Sequence, residues 1–122
     1  MSASIQSYRD MVVWQKAMTL VQLVYQVTSH FPKEEQFGLT NQLRRSAVSV
    51  PSNIAEGYGR NSTQDYIRFL QIARGSLFET QTQMQIAINL DFIPADCADS
   101  ALGLGNEVER MLNAILSKLS SN

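Results

Sequence analysis

At 122 residues, with 44% apolar side chains, the chain has the size of one domain and enough apolar content for a core, which excludes intrinsic disorder. Ten Lys and Arg against eleven Asp and Glu give a net charge of −1 and a pI near 5.7, which excludes a protein that is basic throughout. Charged residues make up only 17%, below the usual quarter, and so little charge on the surface points to a buried subunit interface.

Strand signals are absent: no period-two alternation is sustained, no Asn-Gly or Asp-Gly turn occurs, and apolar residues recur at three and four. The pattern predicts an all-α single domain over 1–122 with four helices. The first spans about 10–29, with Asp10 as N-cap and Phe31-Pro32 as the stop. Its stripe is Trp14, Met18, Val21, Tyr25 and Thr28, and Val13, Ala17, Leu20, Leu23, Val24 and Val27 widen it. At 100° per residue the apolar arc reaches about 240°, against little more than ~100° for an ordinary surface helix. Helix 1 is therefore expected to touch more than its own bundle.

After a connector broken at Gly38, the second helix spans about 40–58, with Leu43, Ala47, Val50, Ile54 and Tyr58 inward. Pro51 predicts a kink or break, and Gly57 and Gly59 predict the end. The third spans about 63–90, with Ser62 as its cap and Asp65 at the capping-box position. Its stripe is Tyr66, Phe69, Leu70, Ala73, Leu77, Thr80, Met84 and Ala87/Ile88. Ile67, Ile72, Phe78 and Ile86 lie off that stripe and are the candidate oligomer interface. Gly75, also on the far side, predicts a close helix contact, since glycine costs about 1 kcal/mol inside a helix. Beyond a turn at Asp91–Pro94, the fourth helix spans about 95–119, with Leu104, Val108, Met111, Leu112, Ile115, Leu116 and Leu119 inward. Four helices with short connections make an antiparallel up-down-up-down bundle.

Reactive groups do not converge. His30 is the only histidine and Cys97 the only cysteine, and inward Glu and Glu-x-x-His pairs of a metal-binding bundle are missing. Gly57-Tyr58-Gly59 lacks the preceding strand and following Lys-Ser/Thr of a phosphate loop. The expectation is a non-enzyme with no cofactor, no metal and no small-molecule substrate. The longest run free of Asp, Glu, Lys and Arg, Ala17–Pro32, falls short of the ~20 apolar residues of a membrane span. With no secretory start at Met1–Tyr8 and one cysteine, a cytoplasmic location is expected.

Charge is unevenly distributed. Residues 40–75 carry Arg44, Arg45, Arg60, Arg68 and Arg74 against Glu56 and Asp65, a net of +3, while residues 91–122 carry a net of −3. Arginine suits bidentate contact with phosphate and equally with carboxylate across a subunit interface. These five are the candidate nucleic-acid or partner-binding residues. Ser49, Ser52 and Glu56, with Asn53 flanking, lie opposite the apolar stripe of helix 2 and form a candidate polar interface network.

Several blocks carry a resemblance. Tyr8-Arg9-Asp10-Met11-Val12-Val13-Trp14-Gln15-Lys16-Ala17, Phe31-Pro32-Lys33-Glu34-Glu35 with Phe37-Gly38-Leu39-Thr40, the run from Gln42 to Gly57 and the run from Phe69 to Leu77 resemble the bacterial four-helix-bundle family first met as proteins encoded in intervening sequences of 23S ribosomal RNA genes. The resemblance covers about residues 8–93. It implies a four-helix bundle assembled as a ring, typically a homopentamer, with no known catalytic activity. A related branch, the accessory variability proteins of diversity-generating retroelements, forms similar pentamers that bind a reverse transcriptase and nucleic acid through basic surfaces; this chain departs from it by its acidic pI. Two readings follow. One is a non-enzymatic oligomeric scaffold for a protein or RNA partner. The other is a direct nucleic-acid binder using an arginine-lined surface.

Overall fold

Four helices dominate the computed structural model, which describes residues 4–121: α1 (Val12–Thr28), α2 (Leu39–Tyr58), α3 (Thr63–Asn89) and α4 (Asp99–Ser120). Single 3-10 turns stand at Tyr8–Asp10, Lys33–Glu35 and Ala95–Ala98, and no strand occurs among the described residues.

Local chemistry sets the helix ends. The Asp10 carboxylate accepts from the Gln6 and Ser7 amides at 2.9 and 3.2 Å, and the Ser7 hydroxyl accepts from the Arg9 amide. Asp10 thus closes a capping box on the short turn before α1, not on α1 itself, which begins two residues later behind Met11. At the start of α2 the Glu35 carboxylate accepts from the Leu39 amide at 3.1 Å, placing negative charge at a helix N-terminus, where the dipole favours it. The Ser62 hydroxyl caps α3 by accepting from the Asp65 amide at 3.1 Å, as expected. The Asp65 side chain turns instead to Arg68. α3 closes with the Phe92 amide on the Ala87 carbonyl and the Asp91 amide on the Ile88 carbonyl, with Asp91 at φ 62°. This is a Schellman motif whose left-handed position is usually glycine. α4 starts at Asp99, four residues beyond the expected 95, because Ala95–Ala98 winds as a 3-10 turn.

Of the kink or break expected in α2 at Pro51, the break does not occur: the helix runs on through Pro51, which is buried. Proline's fixed φ is helical, so the fold loses one backbone bond, not the helix. α2 ends at Tyr58 as expected, with Gly59 as its cap; of the two glycines only Gly57 is not a stop. Gly57 is buried where α2 and α3 approach: a Cβ there would lie 2.7 Å from the Phe69 Cβ and 3.3 Å from the Tyr66 carbonyl oxygen. The close contact expected at Gly75 is absent within the chain, since nothing lies within 4 Å of a Cβ built there.

The core is shared by all four helices. Leu43, Ala47, Val50 and Ile54 of α2, Leu70, Ala73, Leu77, Met84 and Ala87 of α3, and Val108, Leu112 and Leu116 of α4 are buried, close to the expected stripes. On α1 the expected stripe is off by one residue over its first four positions, while Thr28 is buried as expected. Val13, Ala17, Leu20, Val24 and Thr28 face the core, whereas Trp14 and Val21 are half-buried and Met18 and Tyr25 exposed. Contacts between helices pair numbers in opposite senses. Ser46 of α2 meets Thr80 and Gln83 of α3, and Ser49 meets Ser76. Arg74 and Gln81 of α3 meet Asn113 and Asn106 of α4. Lys16 of α1 reaches Glu107 of α4 at 2.8 Å.

Candidate functional site

The five arginines fall into separate settings. Arg60 pairs with Glu56 at 2.8 Å and Arg68 with Asp65 at 3.4 Å, and both guanidinium groups lie over the Phe69 ring, at 4.8 and 4.7 Å from its centroid. They sit at the α2–α3 turn. Arg74 leans toward α4 and donates to the Asn113 side-chain oxygen Oδ1 at 2.8 Å. Arg44 lies well before that turn, about 21 Å along α2 from Tyr58 at 1.5 Å per residue. Its Nε donates to the Thr28 hydroxyl at 2.8 Å and its guanidinium stacks 4.5 Å from the centroid of Tyr25. Arg45 is exposed and has neither a hydrogen bond nor an ion pair among the described residues. Arg44 and Arg45 share a cleft of about 560 Å³ with Tyr25, Asn41, Val48 and Ser49. Local sequence sets this: consecutive helical positions lie 100° apart, so Arg44 turns to α1 and Arg45 outward. The other three arginines do not join them.

The candidate polar network divides in the same way. The Ser49 hydroxyl meets the Ser76 hydroxyl at 2.8 Å, and the Asn53 amide donates to the Ser49 hydroxyl and carbonyl. Ser52 bonds back to the Val48 carbonyl on the exposed side, and Glu56 is taken by Arg60; neither reaches a neighbouring helix. A deeper set was missed. The buried Ser46 hydroxyl lies 2.9 Å from both the Thr80 hydroxyl and the Gln83 side-chain oxygen Oε1, and the Gln83 Nε2 donates to the Glu79 carboxylate at 3.3 Å. The carboxylate accepts only, so it fixes the Gln83 amide with its NH2 toward Glu79 and its oxygen toward Ser46. The signal was present in sequence: the serines at 46 and 49 on α2 match the polar side chains at 76, 80 and 83 on α3.

Apolar surface is left open on two sides. Between α1 and α2, Tyr8, Trp14, Met18, Val21, Val48, Pro51 and Ala55 line a groove of about 370 Å³. On the outer face of α3, Ile72, Phe78 and Ile86 are each a little over 40% exposed. Ile67, the fourth off-stripe residue, is half-buried against the core and is not part of that open face. Phe37, on the α1–α2 connector, is 88% exposed, and it was not singled out because it falls outside every periodic stripe.

Reactive chemistry stays dispersed. No group of three His, Cys, Asp or Glu that could hold a metal ion occurs among the described residues, and Cys97 and His30 are exposed. Among those residues no helix is long and apolar enough to cross a membrane. Burial pushes the Tyr66 phenol above its usual value of 10.0, with Tyr58 adding to the shift. Its hydroxyl donates to the Met11 sulfur at 3.7 Å.

The model of one family, described as 23S rRNA-intervening sequence protein, matches residues 9–114. No curated protein matches the chain. Among solved structures, a protein of unknown function from the S23 ribosomal protein family of Bacteroides thetaiotaomicron superposes with a TM-score of 0.80 at 24% identity, covering 86% of this chain and 98% of that one. The likeness is one of fold.

Proposed function

From the premise that this chain belongs to the 23S rRNA-intervening sequence protein family, we propose that it is a non-enzymatic oligomeric scaffold, an up-down-up-down bundle that closes with copies of itself into a five-membered ring in the cytoplasm and holds a protein or RNA partner. One observation carries the reading: two open apolar surfaces lie on different sides of the chain, the α1–α2 groove and the outer face of α3. A two-fold dimer needs one self-complementary patch, whereas a closed ring needs two unlike patches that fit each other. In this assembly the groove around Met18 and Val48 receives the Phe78 face of the next copy. The wide apolar arc of α1 supports the same reading, because Met18 finds no cover in its own bundle.

The two-patch arrangement has a specific test. Met18→Asp and Phe78→Asp each spoil one side, and each variant alone is expected to run as a monomer in size-exclusion chromatography with light scattering. Mixed together, they retain one intact pair of patches and are expected to form a species of two chains. Full native mass in both single variants contradicts the assignment.

A second reading, direct contact with nucleic acid, is favoured by the cleft that Arg44 and Arg45 share without a carboxylate partner. Charge reversal at both positions is expected to leave the native mass intact and to flatten the salt dependence of RNA binding. Unchanged RNA binding removes this reading for the pair.

A further inference from the structure

We propose that the cleft between α1 and α2 at Tyr25, Asn41, Arg44 and Arg45 is a nucleotide site, with the phosphate on the two guanidinium groups and the base against Tyr25. It rests on the second reading above and narrows five arginines to two. Its volume, about 560 Å³, lies within the ~300–1,000 Å³ of ordinary small-ligand sites. Its wall holds two cations and no acid: Tyr25, Asn41, Arg44, Arg45, Val48 and Ser49 complete the lining.

Arg44 is held in place before any ligand arrives. Its Nε is spent on the Thr28 hydroxyl at 2.8 Å and one Nη lies 3.5 Å from the Tyr25 carbonyl oxygen, while stacking on the Tyr25 ring holds the plane. That bond fixes the fork and leaves donors over, and a preorganised guanidinium loses little entropy on meeting an anion. Arg45 supplies a free fork, since no acceptor holds it among the described residues. Arg60, Arg68 and Arg74 differ on both counts, being already engaged with Glu56, Asp65 and Asn113. A phosphoryl group accepts charge-assisted bonds from two such forks. Tyr25, 43% exposed at the edge of the same cleft, adds an aromatic surface of the kind on which bases stack irrespective of sequence. Asn41 offers both a donor and an acceptor to ribose or base. A nucleotide brings all three complements; inorganic phosphate brings only one.

Fluorescence anisotropy with a labelled oligouridylate, and calorimetry with uridine monophosphate and with inorganic phosphate, test the site at low salt. Arg45→Ala is expected to weaken oligouridylate binding at least tenfold, Arg45→Lys less so, and Tyr25→Ala several-fold. Arg45 is exposed, so its variants leave folding intact, which circular dichroism checks. Binding of both the monophosphate and the oligomer, each lost in Arg45→Ala, supports a site for free nucleotides. Binding of the oligomer alone, lost in the same variant, supports a site for a nucleotide within an RNA strand. Oligomer binding unaffected by Arg45→Ala but weakened by Arg60→Ala with Arg68→Ala overturns this site and leaves the second reading standing. No binding of any of the three probes overturns both. The light-scattering mass, read on the same samples, reports the ring separately.

Discussion

Gly57 and Gly75 both lie inside helices, and replacing each by alanine separates two effects. Alanine gains about 1 kcal/mol over glycine in a helix interior, in full at Gly75 and less at Gly57, which is one residue from the end of α2. At Gly75 nothing opposes it, because no atom lies within 4 Å of the new methyl. At Gly57 the methyl would sit 2.7 Å from the Phe69 Cβ, 3.1 Å from Tyr66 Cδ1 and 3.3 Å from the Tyr66 carbonyl oxygen. Carbon atoms pack best at ~3.5–4.0 Å, and two of these obstacles belong to backbone or to a Cβ, which cannot swing aside. α3 must back away from α2, and overpacking of this kind costs about 1–3 kcal/mol. The smaller propensity gain at the helix end and the overpacking act in the same direction, so Gly75→Ala is expected to exceed Gly57→Ala in stability by at least that overpacking cost. Urea denaturation followed by circular dichroism, at matched protein concentration because assembly couples to folding, measures it. Equal stabilisation by both substitutions refutes the close approach of α2 and α3 at Gly57.

Three further outcomes are expected. Ser46→Ala strands the Gln83 side-chain oxygen Oε1 in the buried ladder, with an expected loss of about 1–3 kcal/mol in the same assay; a loss under a few tenths contradicts the ladder. Asp91→Gly relieves a left-handed residue at φ 62° and is expected to raise the melting temperature, a gain of up to about 1 kcal/mol; a fall contradicts the Schellman geometry. For Tyr66, the folded state keeps the phenol proton to higher pH than the unfolded chain does. Its contribution is complete below pH 10 and is lost as pH rises through the folded value. Comparing urea midpoints at pH 8 and pH 11, Tyr66→Phe is expected to lose less stability than the parent; an equal loss places that alkaline sensitivity on other groups.

Much of the fold was legible because α2, α3 and α4 carry polar borders on both sides of their apolar stripes. Leu43, Ala47, Val50 and Ile54 follow one spacing with Arg45, Ser52 and Glu56 opposite, so the buried face had one solution. α1 lacks such borders. The sets 13, 17, 20, 24 and 14, 18, 21, 25 have the same four-three-four spacing and are both apolar, so nothing within the helix says which faces α2 and α4. The α1 start moved because a short 3-10 turn placed Asp10 one element early. The arginines were visible as a count but not as places. Their separation into Arg44/Arg45, Arg60/Arg68 and Arg74 depends on which neighbours surround each: the contacts of Arg44 with α1 and of Arg74 with α4 are long-range, whereas those of Arg60 and Arg68 are local. Gly57 looked like a helix stop because its partners, Tyr66 and Phe69, lie on the next helix.

The ring is tested most directly by the native mass of the unmodified protein, measured by light scattering across a range of concentrations. Five chains of 13.7 kDa predict a single species of about 68 kDa that persists on dilution; a monomer, or a dimer that grows no further, contradicts it.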